Sequence, residues 1–195
     1  MDFIGLKIKY RKKLEEAKKK GLVDEPIIPL LDLINLCDRF FSTSSCAGRI
    51  ILIAIPPSWK KNISRIFFKS HYKVKSEDVW NALLEGIQKF KHPIYFKQEP
   101  FILHVSASTL QDALNILSVA QESGIKHSGI VSLSKNRVTI EMQSIERVDA
   151  IVGREGKTLI DSNYMEELVN DANLKLDKTR EKMQRFFERF KSLKC

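Results

Sequence analysis

The sequence predicts an α+β protein: a single domain over residues 1–195, built on a mixed β-sheet and flanked by long amphipathic helices at both ends. Three observations predict it. At both ends apolar residues recur every three or four positions, the spacing of a helix with one buried stripe. Through the middle run short apolar segments of strand length, bounded by proline, glycine and serine. Helical and strand-like segments alternate there without the regular period of a βαβ array.

Each element has its own warrant. Phe3, Leu6, Tyr10, Leu14 and Ala17 define a helix over 3–20, with Gly21 suited to its end. Asp24-Glu25-Pro26 opens a second helix over 25–39, with Ile27, Leu30, Leu31, Ile34 and Cys37 on one face. A polar turn spans 42–49. The run 49–55 is an uninterrupted apolar strand stopped by Pro56-Pro57, and 65–71 is a second strand able to pair with it. Ser76-Glu77-Asp78 caps a helix that buries Val79, Leu83, Ile87 and Phe90. Strands at 94–97 and 101–106 surround Glu99-Pro100. Ser108 or Thr109 opens a helix with Leu110, Ala113, Leu117 and Ala120 inward, closed by Gly124. Strands near 130–133, 137–142 and 148–152 follow. Gly153-Arg154-Glu155-Gly156-Lys157 reads as a hairpin turn, and Asn163 with Glu166 as the capping box of a last helix running almost to the end. At 1.5 Å per residue that helix is roughly 40 Å long.

Composition narrows the function classes. The chain is 43% hydrophobic and 29% charged, a globular balance. No apolar run approaches the roughly 20 residues of a membrane span, and the lysine-rich start is not a signal peptide. Cys37, Cys46 and Cys195 show no CxxC spacing, which points to a reducing, cytoplasmic setting and away from zinc. No HExxH or Cys/His cluster suggests another metal, and no GxGxxG or GxxxxGK[ST] is present. The net charge of +9 is concentrated at the ends, where residues 1–20 and 175–195 each carry eight Lys/Arg against three acids. Helical ends lying together would form a positive platform for phosphate backbones, with Lys12, Lys13, Arg185 and Arg189 as contacts; a solvated helix face is the plainer reading.

The most informative stretch is Ser44-Ser45-Cys46-Ala47-Gly48-Arg49. Its hydroxyls and Arg49 could hold an anion, with an ordinary turn whose arginine pairs with an acid as the alternative. Cys46 has no base beside it in sequence, so a covalent role is disfavoured. His71 and His104 lie near the ends of strand-like runs and are candidates for proton transfer, or else hydrogen-bonded structural residues.

The run FFSTSSCAGRI at 40–50 resembles the signature of the wybutosine-synthesis methyltransferase family, the third of the tRNA wybutosine-synthesising proteins, in its archaeal type. Lys69-Ser70-His71, the run EPFILHV at 99–105, Asp112-Ala113, Ser123-Gly124-Ile125 and Ser128-Gly129-Ile130 resemble further blocks of that family in the same order. The likeness covers about residues 10–190 and is weak at 135–160. It implies methyl transfer from S-adenosylmethionine to N4 of a wyosine-type tricyclic base 3′ of the anticodon in phenylalanine tRNA. It also implies a fold other than the dinucleotide-type methyltransferase fold. Under it, Ser44, Ser45 and Arg49 would bind the methionine carboxylate or a tRNA phosphate, and Ser128 and Gly129 would line the same pocket. His104 or His71 would hydrogen-bond the base or take its proton. Phe41 and Phe101 could stack on an unstacked base, with core packing as the alternative. The competing readings are a non-catalytic RNA-binding module using the basic ends and a structural interaction domain.

Overall fold

The computed structural model describes residues 2–57 and 63–193. The chain divides into two compact units. The first comprises Met1–Ala47, Pro100–Ile145 and Thr179–Cys195, and the second Gly48–Glu99 and Glu146–Lys178.

The first unit begins with helix α1 (Phe3–Lys19), whose N-cap Asp2 accepts from the amide of Gly5. A 3-10 turn, Glu25–Ile27, leads into α2 (Ile28–Leu36). Strands β1 (Phe40–Cys46), β5 (Ile102–Ala107), β6 (His127–Ser134) and β7 (Arg137–Gln143) form a sheet in the order β1-β5-β7-β6. All its pairings are antiparallel. Helix α4 (Leu110–Glu122) and the end of α5 (Ser162–Lys191) complete this unit.

Alternation decides which face of the sheet is core. Leu103, Val105 and Ala107 on β5, and Val138, Ile140 and Met142 on β7, are buried on one face. They join Leu30 and Ile34 of α2, Ala113, Ile116 and Ala120 of α4, and Met183, Phe186 and Phe190 of α5. Phe40 follows them, with its ring 5.7 Å from Phe190. Phe41 points to the opposite face, where Phe3 and Tyr10 of α1 cover it at 5.1 and 5.2 Å. The guanidinium of Arg137 lies 5.8 Å from the Tyr10 ring, so α1 shields one end of this outer face. The other end carries Ser44, His104 and Glu141.

The second unit holds β2 (Arg49–Ala54), β3 (Arg65–Ser70), β4 (Ile94–Glu99), β8 (Val148–Arg154) and β9 (Lys157–Thr158), ordered β3-β2-β4-β8-β9 and again antiparallel. Helix α3 (Ser76–Lys89) and the start of α5 pack on it through Val79, Leu83, Met165, Val169 and Ala172, against Ile50, Leu52 and Phe96.

The α+β class expected from the sequence is the observed one, and its antiparallel sheets differ from the parallel sheet of a dinucleotide-type fold. The strands form two antiparallel sheets where one mixed sheet was expected. The supposed turn at 42–49 is mostly strand. Its Ser-Thr-Ser-Ser run reads as loop, yet β1 is an edge strand with one open face, so hydroxyls there lose little. The final helix is capped by Asp161, whose carboxylate accepts from the amide of Tyr164, rather than by Asn163. Leu110, expected inward, is exposed, because α4 turns Ile116 instead to the core. Cys37 is buried as expected, but it is disulfide-bonded, where the lack of CxxC spacing had pointed to reduced cysteines. Cys195 lies outside the described residues. No helix among the described residues is long and apolar enough to cross a membrane.

Candidate active site

Sheet register puts four residues of the first unit in one row. Gly129 on β6 pairs with Glu141 on β7, Glu141 with His104 on β5, and His104 with Ser44 on β1. All four therefore point to the outer face, beyond the part covered by α1. A register shift between Ser42 and Ser44 makes this possible. Without that bulge, Thr43 would stand opposite His104 and Ser44 opposite Leu103 on the core side, the place Ser45 now takes.

The row is hydrogen-bonded. Ser44 Oγ lies 2.9 Å from His104 Nδ1, and His104 Nε2 lies 2.8 Å from Glu141 Oε2. A carboxylate only accepts, so the proton of the second bond belongs to Nε2. In the Nε2–H tautomer, Nδ1 is the acceptor for the Ser44 hydroxyl. The groups are accessible, with side-chain exposures of 26% for His104 and 37% for Glu141. A Cβ at Gly129 would meet nothing within 4 Å, so the end of the row opens onto free space.

Beside the row lies a cavity of about 350 Å³ between α1 and β1. Tyr10, Lys13, Leu14 and Leu31 line it on one side, and Ser42, Thr43, Ser44 and Ser45 on the other. The end of β1 is pinned. The Ala47 amide donates to Asp24 Oδ2 at 2.8 Å, and its carbonyl accepts from Arg180 Nη1. Asn35 holds the start, donating to Ser42 Oγ at 2.8 Å and accepting from the Ser42 amide at 3.2 Å.

The remaining expected site residues fall elsewhere. Ser128 faces the core side, and its hydroxyl donates to the Ile125 carbonyl at 2.7 Å. Arg49 and His71 belong to the second unit. Arg49 Nε donates to Glu99 Oε2 at 2.6 Å, the acid pairing that was the plainer reading of this arginine. His71 Nδ1 is 3.0 Å from the Gly48 carbonyl, so that nitrogen carries the proton. Gly48 itself has φ +85°, the left-handed conformation glycine adopts without strain. Phe41 and Phe101 are fully buried and pack as core.

The basic ends do not form one platform. Lys12 and Lys13 stand exposed on α1, on the outer face of the sheet. Arg185 and Arg189 stand exposed on α5, on the core side, where Arg185 Nε donates to the Ser123 carbonyl at 3.3 Å and Arg189 pairs with Glu122 at 3.1 Å. Phe3 and Tyr10 of α1 cover Phe41 on the outer face, whereas Met183, Phe186 and Phe190 of α5 join the core face.

Two residues escaped sequence reasoning: Glu141, which completes the row, and Asp24, which pins Ala47. For Glu141 a signal existed. Arg137, Thr139, Glu141 and Gln143 alternate with Val138, Ile140 and Met142, which marks an outer face without saying which residue faces it.

Comparison with known proteins agrees with the fold. A model of the family described as Methyltransferase TYW3 matches residues 6–192. A Thermococcus sibiricus protein named tRNA(Phe) 7-((3-amino-3-carboxypropyl)-4-demethylwyosine(37)-N(4))-methyltransferase is 38% identical over 189 residues, 96% of this chain and 94% of its own. A Methanocaldococcus jannaschii protein of the same name is 35% identical over 195 residues, the whole of both chains. A solved structure from Pyrococcus horikoshii superposes with a TM-score of 0.90 at 34% identity, covering 97% of this chain and 96% of that one. With a family model running through both units, and relatives of this identity along the full length, the chain belongs to the TYW3 methyltransferase family.

Proposed function

We propose that this protein methylates the N4 ring nitrogen of a wyosine-type tricyclic base, 3′ of the anticodon in phenylalanine tRNA, with S-adenosylmethionine as donor. The observation that carries the reading is the full-length similarity to relatives named for N4-methylation of 4-demethylwyosine at position 37 of tRNA(Phe). The match through residues 6–192 also supports treating the two units as one functional domain. An enzyme acting on tRNA fits a cytoplasmic setting.

S-adenosylmethionine supplies an electrophilic methyl group, so the protein needs to position rather than activate. The cavity between α1 and β1 suits that donor. At about 350 Å³ it has the size of a small-molecule site, with an aromatic ring, aliphatic walls and a few polar groups. Lys13 offers a cation for a carboxylate, and Ser44 and Ser45 offer hydroxyls. His104 with Ser44 meets the base at the cavity end of the row, and Gly129, at the far end, keeps the outer face open. Ser128, facing away, supports the strand. Arg49 would serve as an anion contact by exchanging Glu99 for a phosphate or carboxylate, and His71 is the second candidate base contact.

The test is transfer of labelled methyl from S-adenosylmethionine to precursor tRNA lacking the N4 methyl. Stoichiometric incorporation into that tRNA alone is expected. Binding of both substrates without incorporation would refute the enzymatic reading.

A further inference from the structure

We infer that Glu141 is a positioning residue that, through His104 and Ser44, forms a proton relay on the open face of the first unit; the inference rests on the N4-methyltransferase reading above. The ring nitrogen to be methylated carries a proton, and when its new carbon–nitrogen bond forms that N–H bond must break. Ser44 is the exposed end of the row on the edge strand β1, where it lines the cavity between α1 and β1, and it is the group a base entering from that side would meet. Its hydroxyl already points its hydrogen-bonding at His104 Nδ1, 2.9 Å away. The substrate proton passes to Ser44 Oγ as the proton of Ser44 passes to Nδ1, so the serine ends as it began and the ring gains one charge. Glu141, 2.8 Å from Nε2, holds the Nε2–H tautomer that keeps Nδ1 ready to accept, and its negative charge offsets the imidazolium that forms. No oxidant, reductant or further reactant enters the balance.

The strands argue for a built arrangement. β1, β5 and β7 lie far apart in sequence, and only the order β1-β5-β7 with the bulge at Thr43 aligns hydroxyl, imidazole and carboxylate. The neighbouring row places Phe41, Ser106 and Thr139 side by side beneath α1, with no titratable group among them.

The experiment compares wild type, Glu141→Ala and Glu141→Gln by ¹⁵N spectroscopy of the histidine rings and by steady-state methyl transfer to precursor tRNA. Wild-type His104 is expected as the Nε2–H tautomer. Glu141→Ala should lose that preference and lower kcat by about tenfold or more with KM for tRNA little changed. Glu141→Gln should keep the tautomer, since its amide oxygen still accepts, yet lower kcat because the charge is gone. An unchanged tautomer in Glu141→Ala, or full turnover in Glu141→Gln, overturns the relay. Should the alanine variant not fold, turnover of the glutamine variant decides. A wild type that transfers no methyl group fails the functional reading itself, whereas an active wild type matched by both variants fails the relay alone.

Discussion

Burial by itself would raise the carboxyl of Asp112, but hydrogen bonds from Thr109 and Ser108 and the Arg39 guanidinium outweigh it and hold that carboxyl below its ordinary range. Asp112 sits in the first turn of α4, where its amide donates to Oγ1 of the cap Thr109 while its carboxylate anchors Arg39. A carboxyl depressed in the folded state stabilises the fold above its unfolded value, about 3.9, and that stability is lost as pH falls through the folded value. Asp112→Ala should therefore cost about 2 kcal/mol near neutral pH, with the gap from wild type shrinking once the medium is more acid than about pH 4. Urea unfolding of both proteins between pH 3 and 7 checks it, and a gap constant across that range would contradict it. At this scale the sequence was informative about capping: Thr109 was one of two expected caps. It marked Glu141 only as one of several outer-face residues, and it did not pair Asp24 with Ala47, because the partners His104 and Ala47 are set by sheet order and chain return rather than by neighbours in sequence.

Among the elements, those with strong periodicity were legible. α1, α3, α4 and α5 follow their apolar stripes, and β2 its unbroken apolar run. β1 was not legible, because four consecutive hydroxyl residues carry no two-residue alternation, and its strand character comes from pairing with β5. The same holds for the site, which is built on this strand. Elements also constrain one another sterically within the second unit. Gly86 on α3 faces β3 so closely that a Cβ there would lie 2.5 Å from Phe67 Cε2 and 2.6 Å from Cζ. Phe67 has little freedom to retreat, with its ring 5.1 Å from Phe90. Alanine normally gains up to about 1 kcal/mol over glycine inside a helix, but overpacking costs about 1–3 kcal/mol. Gly86→Ala should thus destabilise by about 1 kcal/mol, read as a lowered Tm by calorimetry. A raised Tm would mean that Phe67 swings aside and that α3 is not set by this contact.

For the molecule as a whole, the charge of +9 is real in composition but divided in space. Within the first unit, α1 carries Lys12 and Lys13 on the outer face of the sheet, the face that also bears Ser44, His104 and the cavity lined by Lys13. Arg185 and Arg189 lie on the core side, facing Ser123 and Glu122 at the end of α4. A tRNA whose target base reaches the row on the outer face is placed to meet the α1 lysines, and not the α5 arginines by the same approach. Each lysine–phosphate contact releases counterions and steepens the dependence of log K on log salt by about 0.7 to 0.9. Lys12→Gln with Lys13→Gln should accordingly flatten the slope of tRNA binding by about 1 to 2, whereas Arg185→Gln with Arg189→Gln should change it by less than half as much. Filter binding across 50–300 mM salt measures both slopes. The reverse ranking would place the tRNA backbone along α5 and require the base to approach from the other side of the sheet.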